Sequence, residues 1–172
     1  MEENQDKLHK EVMDTIEFIK QAYKKHGGYE DPIEVFREGN CGNFCTFLLE
    51  EFGENAIPYA IYKDQEVDHI ITKIGSKYYD VGGEVTAKSY VTYLLGRGSS
   101  DLDYNAGDLN RYNVGQVEPE EILEHTDNYK APIVRINNGE PKKIPSSELE
   151  RMKKIKEDLE KRRKEKAEHD LR

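Results

Sequence analysis

The stretch CGNFCTFLLEEFGENAIPYAIYKDQEVDHIITKIGSKYYDVGG, running from Cys41 to Gly83, contains the change of hydrophobic period that decides how the chain folds. Phe44, Phe47, Leu48 and Phe52 recur at three- and four-residue spacings, which is the period of one helix face, and Gly53 supplies the stop. Beyond Gly53 the pattern becomes that of strands. Segments 57–62, 67–74 and 77–81 are rich in β-branched and aromatic residues, and the turn pairs Asp64-Gln65 and Gly75-Ser76 separate them into an antiparallel meander. A buried helix leading directly into antiparallel strands predicts an α+β domain.

Towards the N-terminus, Leu8, Val12, Ile16, Ile19 and Tyr23 form an amphipathic face over residues 4–26, which Gly27-Gly28 terminates. Asp31-Pro32 reads as an N-cap with proline at the first helical position, opening a short turn through Ile33, Val35 and Phe36 that Gly39-Asn40 ends. Towards the C-terminus, Gly82-Gly83 is expected to break the meander. Residues 87–95 then read as a helix with Tyr90, Tyr93 and Leu94 on one side. The polar run 96–110 reads as a long surface loop suited to a lid. A strand over 111–117, a short helix over 119–125 and a hairpin of 131–136 with 141–144 around Asn137-Asn138-Gly139 follow. Ser147 with Glu150 resembles a capping box for a last helix. Its stripe of Leu149, Met152, Ile155 and Leu159 is thin, so the helix is expected to project beyond Leu159 and to be dispensable from about Lys161. The chain thus divides into a domain over 1–145 and a charged C-terminal helix over 146–172.

With 172 residues the chain suits one domain with its own core. Its net charge is −9, and the last 27 residues carry ten Lys or Arg against eight Asp or Glu, which leaves −11 on the body. An acidic body excludes a nucleic-acid footprint, because phosphate binding needs basic surface to displace counterions. No apolar run is long enough to span a bilayer, and MEENQDK lacks the basic start and apolar core of a secretion signal, so a cytoplasmic protein without a membrane partner is expected. Cys41 and Cys45, the only cysteines, would lie one helical turn apart, a geometry that disfavours a disulfide. Free thiols fit a reducing compartment.

Cys41 stands where the helix begins. Unpaired backbone N–H groups and the macrodipole favour a thiolate over a thiol there, whereas Cys45, one turn in, is expected to pack as a small apolar residue. If Gly75-Ser76 is a two-residue hairpin turn, Ile74 pairs with Lys77 and Ile71 lies opposite Asp80. His69 and Asp80 then share a sheet face as diagonal neighbours within reach of a side-chain hydrogen bond. A carboxylate so placed holds the imidazole's tautomer and stabilises the imidazolium formed when it takes a thiol proton. Cys41 as nucleophile, His69 as base and Asp80 as orienting group is the resulting reading.

The blocks Gly39-Asn40-Cys41-Gly42-Asn43-Phe44, Asp68-His69 and Lys77-Tyr78-Tyr79-Asp80-Val81-Gly82-Gly83 resemble the Cys, His and Asp blocks of small papain-fold proteins of bacteria and phages. That superfamily includes NlpC-like, transglutaminase-like and arylamine acetyltransferase enzymes. The resemblance covers roughly residues 36–83 and implies a papain-like core with a Cys41–His69–Asp80 triad for acyl transfer on an amide of a protein or peptide. Protease, isopeptidase and glutamine deamidase outcomes stay open, and a phage or bacterial effector is the implied setting. Where papain carries its oxyanion-binding glutamine this chain has Val35, which leaves the backbone N–H of Cys41 and a second, unassigned group as the expected donors, Asn40 being one candidate for the latter. The competing reading is a catalytically inactive scaffold of the same kind that binds a partner protein.

No cofactor or metal is expected. Cys41, Cys45, His69 and His125 offer zinc-ligating atoms, but the Cys-x3-Cys spacing sits inside a helix and no second tight pair exists. Asp101-Leu102-Asp103-Tyr104-Asn105 opens like a calcium loop, yet Ala106 stands at the glycine position and Tyr112 at the last-ligand position.

Overall fold

In the computed structural model, residues 2–96, 109–123, 133–135, 141–143 and 147–170 are described. The residues of the expected 96–110 lid between 97 and 108, the Asn137-Asn138-Gly139 turn, the Ser147 side chain, His125 and the Asp101–Asn105 motif lie outside them.

The protein is α+β. Helix α1 spans Glu2–Lys25. Helix α2 spans Pro32–Arg37 and starts as its sequence requires, with the Asp31 side chain accepting from the N–H of Ile33 at 3.0 Å. Helix α3 spans Cys41–Phe52 and ends at Gly53, whose φ of +52° is cheap only for glycine. Strands β1 (Ala56–Lys63), β2 (Glu66–Ile74), β3 (Lys77–Asp80) and β4 (Gly83–Glu84) follow, then α4 (Ala87–Gly96), β5 (Tyr112–Gln116) and α5 (Pro119–Leu123). Strands β6 (Ile133–Arg135) and β7 (Pro141–Lys143) pair antiparallel as a separate ribbon, and α6 (Ser147–Asp170) closes the chain.

The main sheet is antiparallel, in the order β4-β3-β2-β1-β5. The Asp64-Gln65 turn carries positive φ at both residues, 51° and 73°, which matches the twist of a two-residue hairpin. The β2–β3 register, Ile74↔Lys77 through Thr72↔Tyr79, is the one the Gly75-Ser76 turn demands. Gly82-Gly83 does not break the meander. The chain turns back through Val81-Gly82, so that Asp80 pairs with Gly83 and β4 extends the sheet.

Alternation along β1 and β2 separates two faces. Ala60 and Ile70 pack with Cys41 and Cys45 of α3, whereas Ile61 and Ile71 pack with Tyr90 and Val91 of α4. A third, larger cluster joins α1, α2, α3 and α6 through Val12, Ile16, Ile19, Tyr23, Phe36, Phe44, Leu48, Met152, Ile155 and Leu159, among others. Helix α6 is therefore part of the body's core, and it does not project at Leu159. Arg162 donates to Thr15 Oγ1 at 3.1 Å and lies over the Phe18 ring, and Arg163 donates to the Glu50 carbonyl at 3.0 Å and pairs with Glu51 at 3.1 Å. Described residues are all exposed only from Lys164 onward. The apolar stripe ends at Leu159, but long cationic side chains prolong the docking, an effect that counting apolar residues does not register.

Candidate active site

Cys41 is the first residue of α3, and the N–H of Phe44 donates to the carbonyl of Asn40 at 3.0 Å to close the first helical turn. The Asn40 side chain does not cap the helix. Its Oδ1 accepts from Asn43 Nδ2 at 2.8 Å.

Sheet topology explains how this helix end meets the strands. Pairing of β3 with β2 ends at Thr72↔Tyr79, so among the described residues no strand pairs with β2 before Thr72 on that side. The Cys41 thiol takes that edge, and the Cys45 thiol meets the carbonyl of the next residue along the strand. The N–H of Ile70 donates to Cys41 Sγ at 3.5 Å, and Cys45 Sγ donates to the Ile71 carbonyl at 3.6 Å. Burial, the largest influence, pushes the Cys45 thiol up to about 12, which leaves it protonated and inert at neutral pH.

His69 reaches the same edge from the α4 face. The β1–β2 register runs Ile61↔His69 and then Tyr62↔Val67, which leaves Asp68 as the extra residue of a β-bulge. Consecutive strand residues normally point to opposite faces, but a bulge re-aims one of them. Here one side chain meets both. The Tyr90 ring stacks on the His69 ring at 4.6 Å and 5°, and its hydroxyl donates to Asp68 Oδ2 at 2.9 Å.

His69 Nε2 donates to Asp80 Oδ2 at 2.9 Å, the contact expected from the hairpin register. Nδ1, the other ring nitrogen, makes no hydrogen bond of regular geometry, and the remaining polar side chain acting on the ring is the Cys41 thiol. The structure thus brings Cys41, His69 and Asp80 together, and all three are buried, at 2%, 0% and 2% exposure. Cys41 packs with Cys45, Ala60, Ile70, Val117 and Ile122.

Three neighbours escaped the sequence reading. Arg37, from the last turn of α2, grips Asp80 with two bonds, Nε to Oδ2 at 2.8 Å and Nη2 to Oδ1 at 3.1 Å, and its guanidinium lies over the Tyr93 ring at 4.5 Å. Gly82 N–H donates to Asp80 Oδ1 at 2.8 Å, and a Cβ at Gly82 would come within 2.5 Å of Arg37 Nη2. The third is the Tyr90–Asp68 pair described above. An arginine ending a short helix ordinarily complements the helix dipole, and a tyrosine on an amphipathic face ordinarily packs, so neither residue type carried a local signal.

The electrostatics favour ions. Burial is the strongest influence on the imidazole and opposes its charge, but the bonds to Asp80 and then to Cys41 prevail and raise it to about 9. Burial likewise pushes Asp80 up, but His69 and Arg37 together hold its carboxyl below the usual range. A pH effect on stability follows. His69 is held protonated in the folded state up to about 9 and titrates near ~6.5 when unfolded, so its stabilisation is complete below pH ~6.5 and is lost as pH rises through about 9. Urea midpoints are expected to decline across that window in the wild type and to flatten there in His69→Gln. A wild-type profile that is flat, or that rises in step with the variant's, would refute the charged imidazole.

Residues 15–122 match the family profile described as Phage YunG-like protein, well over half of the chain. The chain belongs to the Phage YunG-like family. The matched region contains Arg37, Cys41, His69, Asp80 and Tyr90, so the whole constellation lies within the YunG-like part. No curated protein and no solved structure matches the chain. Among the described residues, no group of three or more His, Cys, Asp or Glu is arranged to hold a metal ion, and no helix is long and apolar enough to cross a membrane.

Proposed function

We propose that this YunG-like chain is a cysteine-nucleophile hydrolase or acyl-transfer enzyme with a papain-like core, acting on an amide bond of a protein or peptide. One observation carries the proposal. A buried histidine spans the space between a carboxylate on Nε2 and a thiol at a helix N-terminus, with no hydrogen bond of regular geometry on Nδ1. A cytoplasmic phage or bacterial effector is the setting proposed.

In the proposed reaction the Cys41 sulfur attacks the amide carbonyl carbon as thiolate, forming a C–S bond. The C–N bond breaks, and the leaving nitrogen takes the proton held on His69. Water or an acceptor amine then attacks the thioester and gives its proton to His69, and the C–S bond breaks to regenerate the thiolate. Asp80 keeps Nε2 protonated and the ring aimed throughout. Burial of Cys41 means that the packing around Val117, Ile122 and Tyr90 must part before a substrate enters.

The same burial favours a second reading, an inactive scaffold whose ion network serves only to hold the fold. Incubation with an activated ester and intact-mass analysis separates the two. One acyl group is expected on Cys41, retained in Cys45→Ala, lost in Cys41→Ala and formed at least about tenfold more slowly in His69→Ala. Two inert thiols, or two thiols acylated equally, would reject the enzyme.

A further inference from the structure

The Arg37 fork on Asp80 has a consequence for the thiol, which it does not touch. Cys41, His69, Asp80 and Arg37 come from α3, β2, β3 and α2 and meet in one line of contacts in the interior, the Arg37 side chain being only 10% exposed. Charges along such a line in a dry site must nearly cancel, because an uncompensated buried charge costs several kcal/mol. Thiolate, imidazolium, carboxylate and guanidinium alternate in sign and sum to zero. Without the guanidinium the same line would carry a net negative charge, and the cheapest relief is for Cys41 to keep its proton. Among the described residues, the other titratable groups around the line are Cys45 on α3, Asp68 on β2, Tyr90 and Tyr93 on α4, and Tyr112 on β5. None of these supplies a positive charge.

We propose that Arg37 is a positioning residue of the site, supplying the fixed positive charge that allows Cys41 and Asp80 to be anionic at the same time. Its partners support this. The fork spends both carboxylate oxygens, and Tyr93 covers the guanidinium face, so the cation is held in one place. Gly82 leaves room for it where any side chain would intrude. Arg37 acts through Asp80 and His69 on the thiol.

The inference rests on the thiolate–imidazolium reading, and its test keeps the two apart. The pH dependence of iodoacetamide labelling at Cys41 is measured in the wild type, Arg37→Met, Arg37→Lys and the double variant Arg37→Met/Asp80→Asn. Arg37→Met should move the labelling midpoint up by about one pH unit or more, a roughly tenfold loss of rate at pH ~6. Arg37→Lys should keep the wild-type midpoint. The double variant removes a cation and an anion together, so its midpoint should return towards the wild-type value. It also relieves the stranded carboxylate, and it carries the comparison if Arg37→Met does not fold. A merely structural Arg37 predicts otherwise: single and double variants lose stability with no change of midpoint, or the double variant labels only at the pH of a free thiol. Either result overturns the role of Arg37 while leaving the triad intact. A wild type that labels like a free thiol overturns the triad itself.

Discussion

Cys41 should react with iodoacetamide readily at pH ~6, where a free thiol of pKa ~8.5 is well under one per cent ionised. Cys45 should stay unmodified in the same sample. Both cysteines sit in one buried cluster, so any opening of the fold that admits reagent reaches both, and Cys45 serves as the internal control. Their environments differ in kind. Cys45 faces a backbone carbonyl under a burial penalty, while Cys41 stands at a helix start, accepts a backbone N–H and meets an imidazole raised to about 9. Selectivity for Cys41 over Cys45 at pH ~6 is expected to exceed ~100-fold, and His69→Ala should remove most of it by withdrawing the cation. Asp80→Asn should change the labelling midpoint less and acyl turnover more, since the work proposed for the carboxylate is to orient the ring. Equal labelling of the two thiols, or a Cys41 profile indifferent to His69→Ala, would end the catalytic reading.

Removing residues 147–172 should unfold the protein. Met152, Ile155 and Leu159 lie in the cluster that joins α1, α2 and α3. Truncating one such side chain to alanine costs about 2–5 kcal/mol, and a domain of this size has about 5–15 kcal/mol in total. Ile155→Ala alone should therefore lower the urea midpoint substantially. A shorter truncation, from Lys161, is expected to be milder yet measurable, at about 1–3 kcal/mol. It removes the Arg163 partner of Glu51, a carboxylate that is only 6% exposed and that burial already pushes up, together with the Arg162 bond to Thr15. The same arginines line a cavity of about 410 Å³ between α1, α3 and α6, away from Cys41, His69 and Asp80, so the proposed acylation of Cys41 should survive the shorter truncation. An unchanged midpoint on removing 147–172 would show that α6 is not part of the core.

Local physics was legible in the residues alone. The Asp31 cap, the Gly53 stop, the two hairpin turns and the helix from Cys41 to Phe52 each depend on φ preferences or on hydrophobic period within a few residues, and such signals need no distant partner. The approach of His69 to Asp80 was legible for the same reason, because a two-residue turn at Gly75-Ser76 sets the register of everything beyond it. Other features were decided only when distant segments packed. The Tyr90 ring on His69, the Arg37 fork on Asp80 and the docking of α6 each join segments far apart in the chain, and no local pattern encodes such a meeting, while the bulge at Asp68 sits inside the β1–β2 hairpin with no turn residue to announce it. Burial of the thiol belongs with them. A helix N-terminus reads the same from sequence whether open or covered, and only the placement of Val117, Ile122 and Tyr90 around Cys41 and His69 closed it.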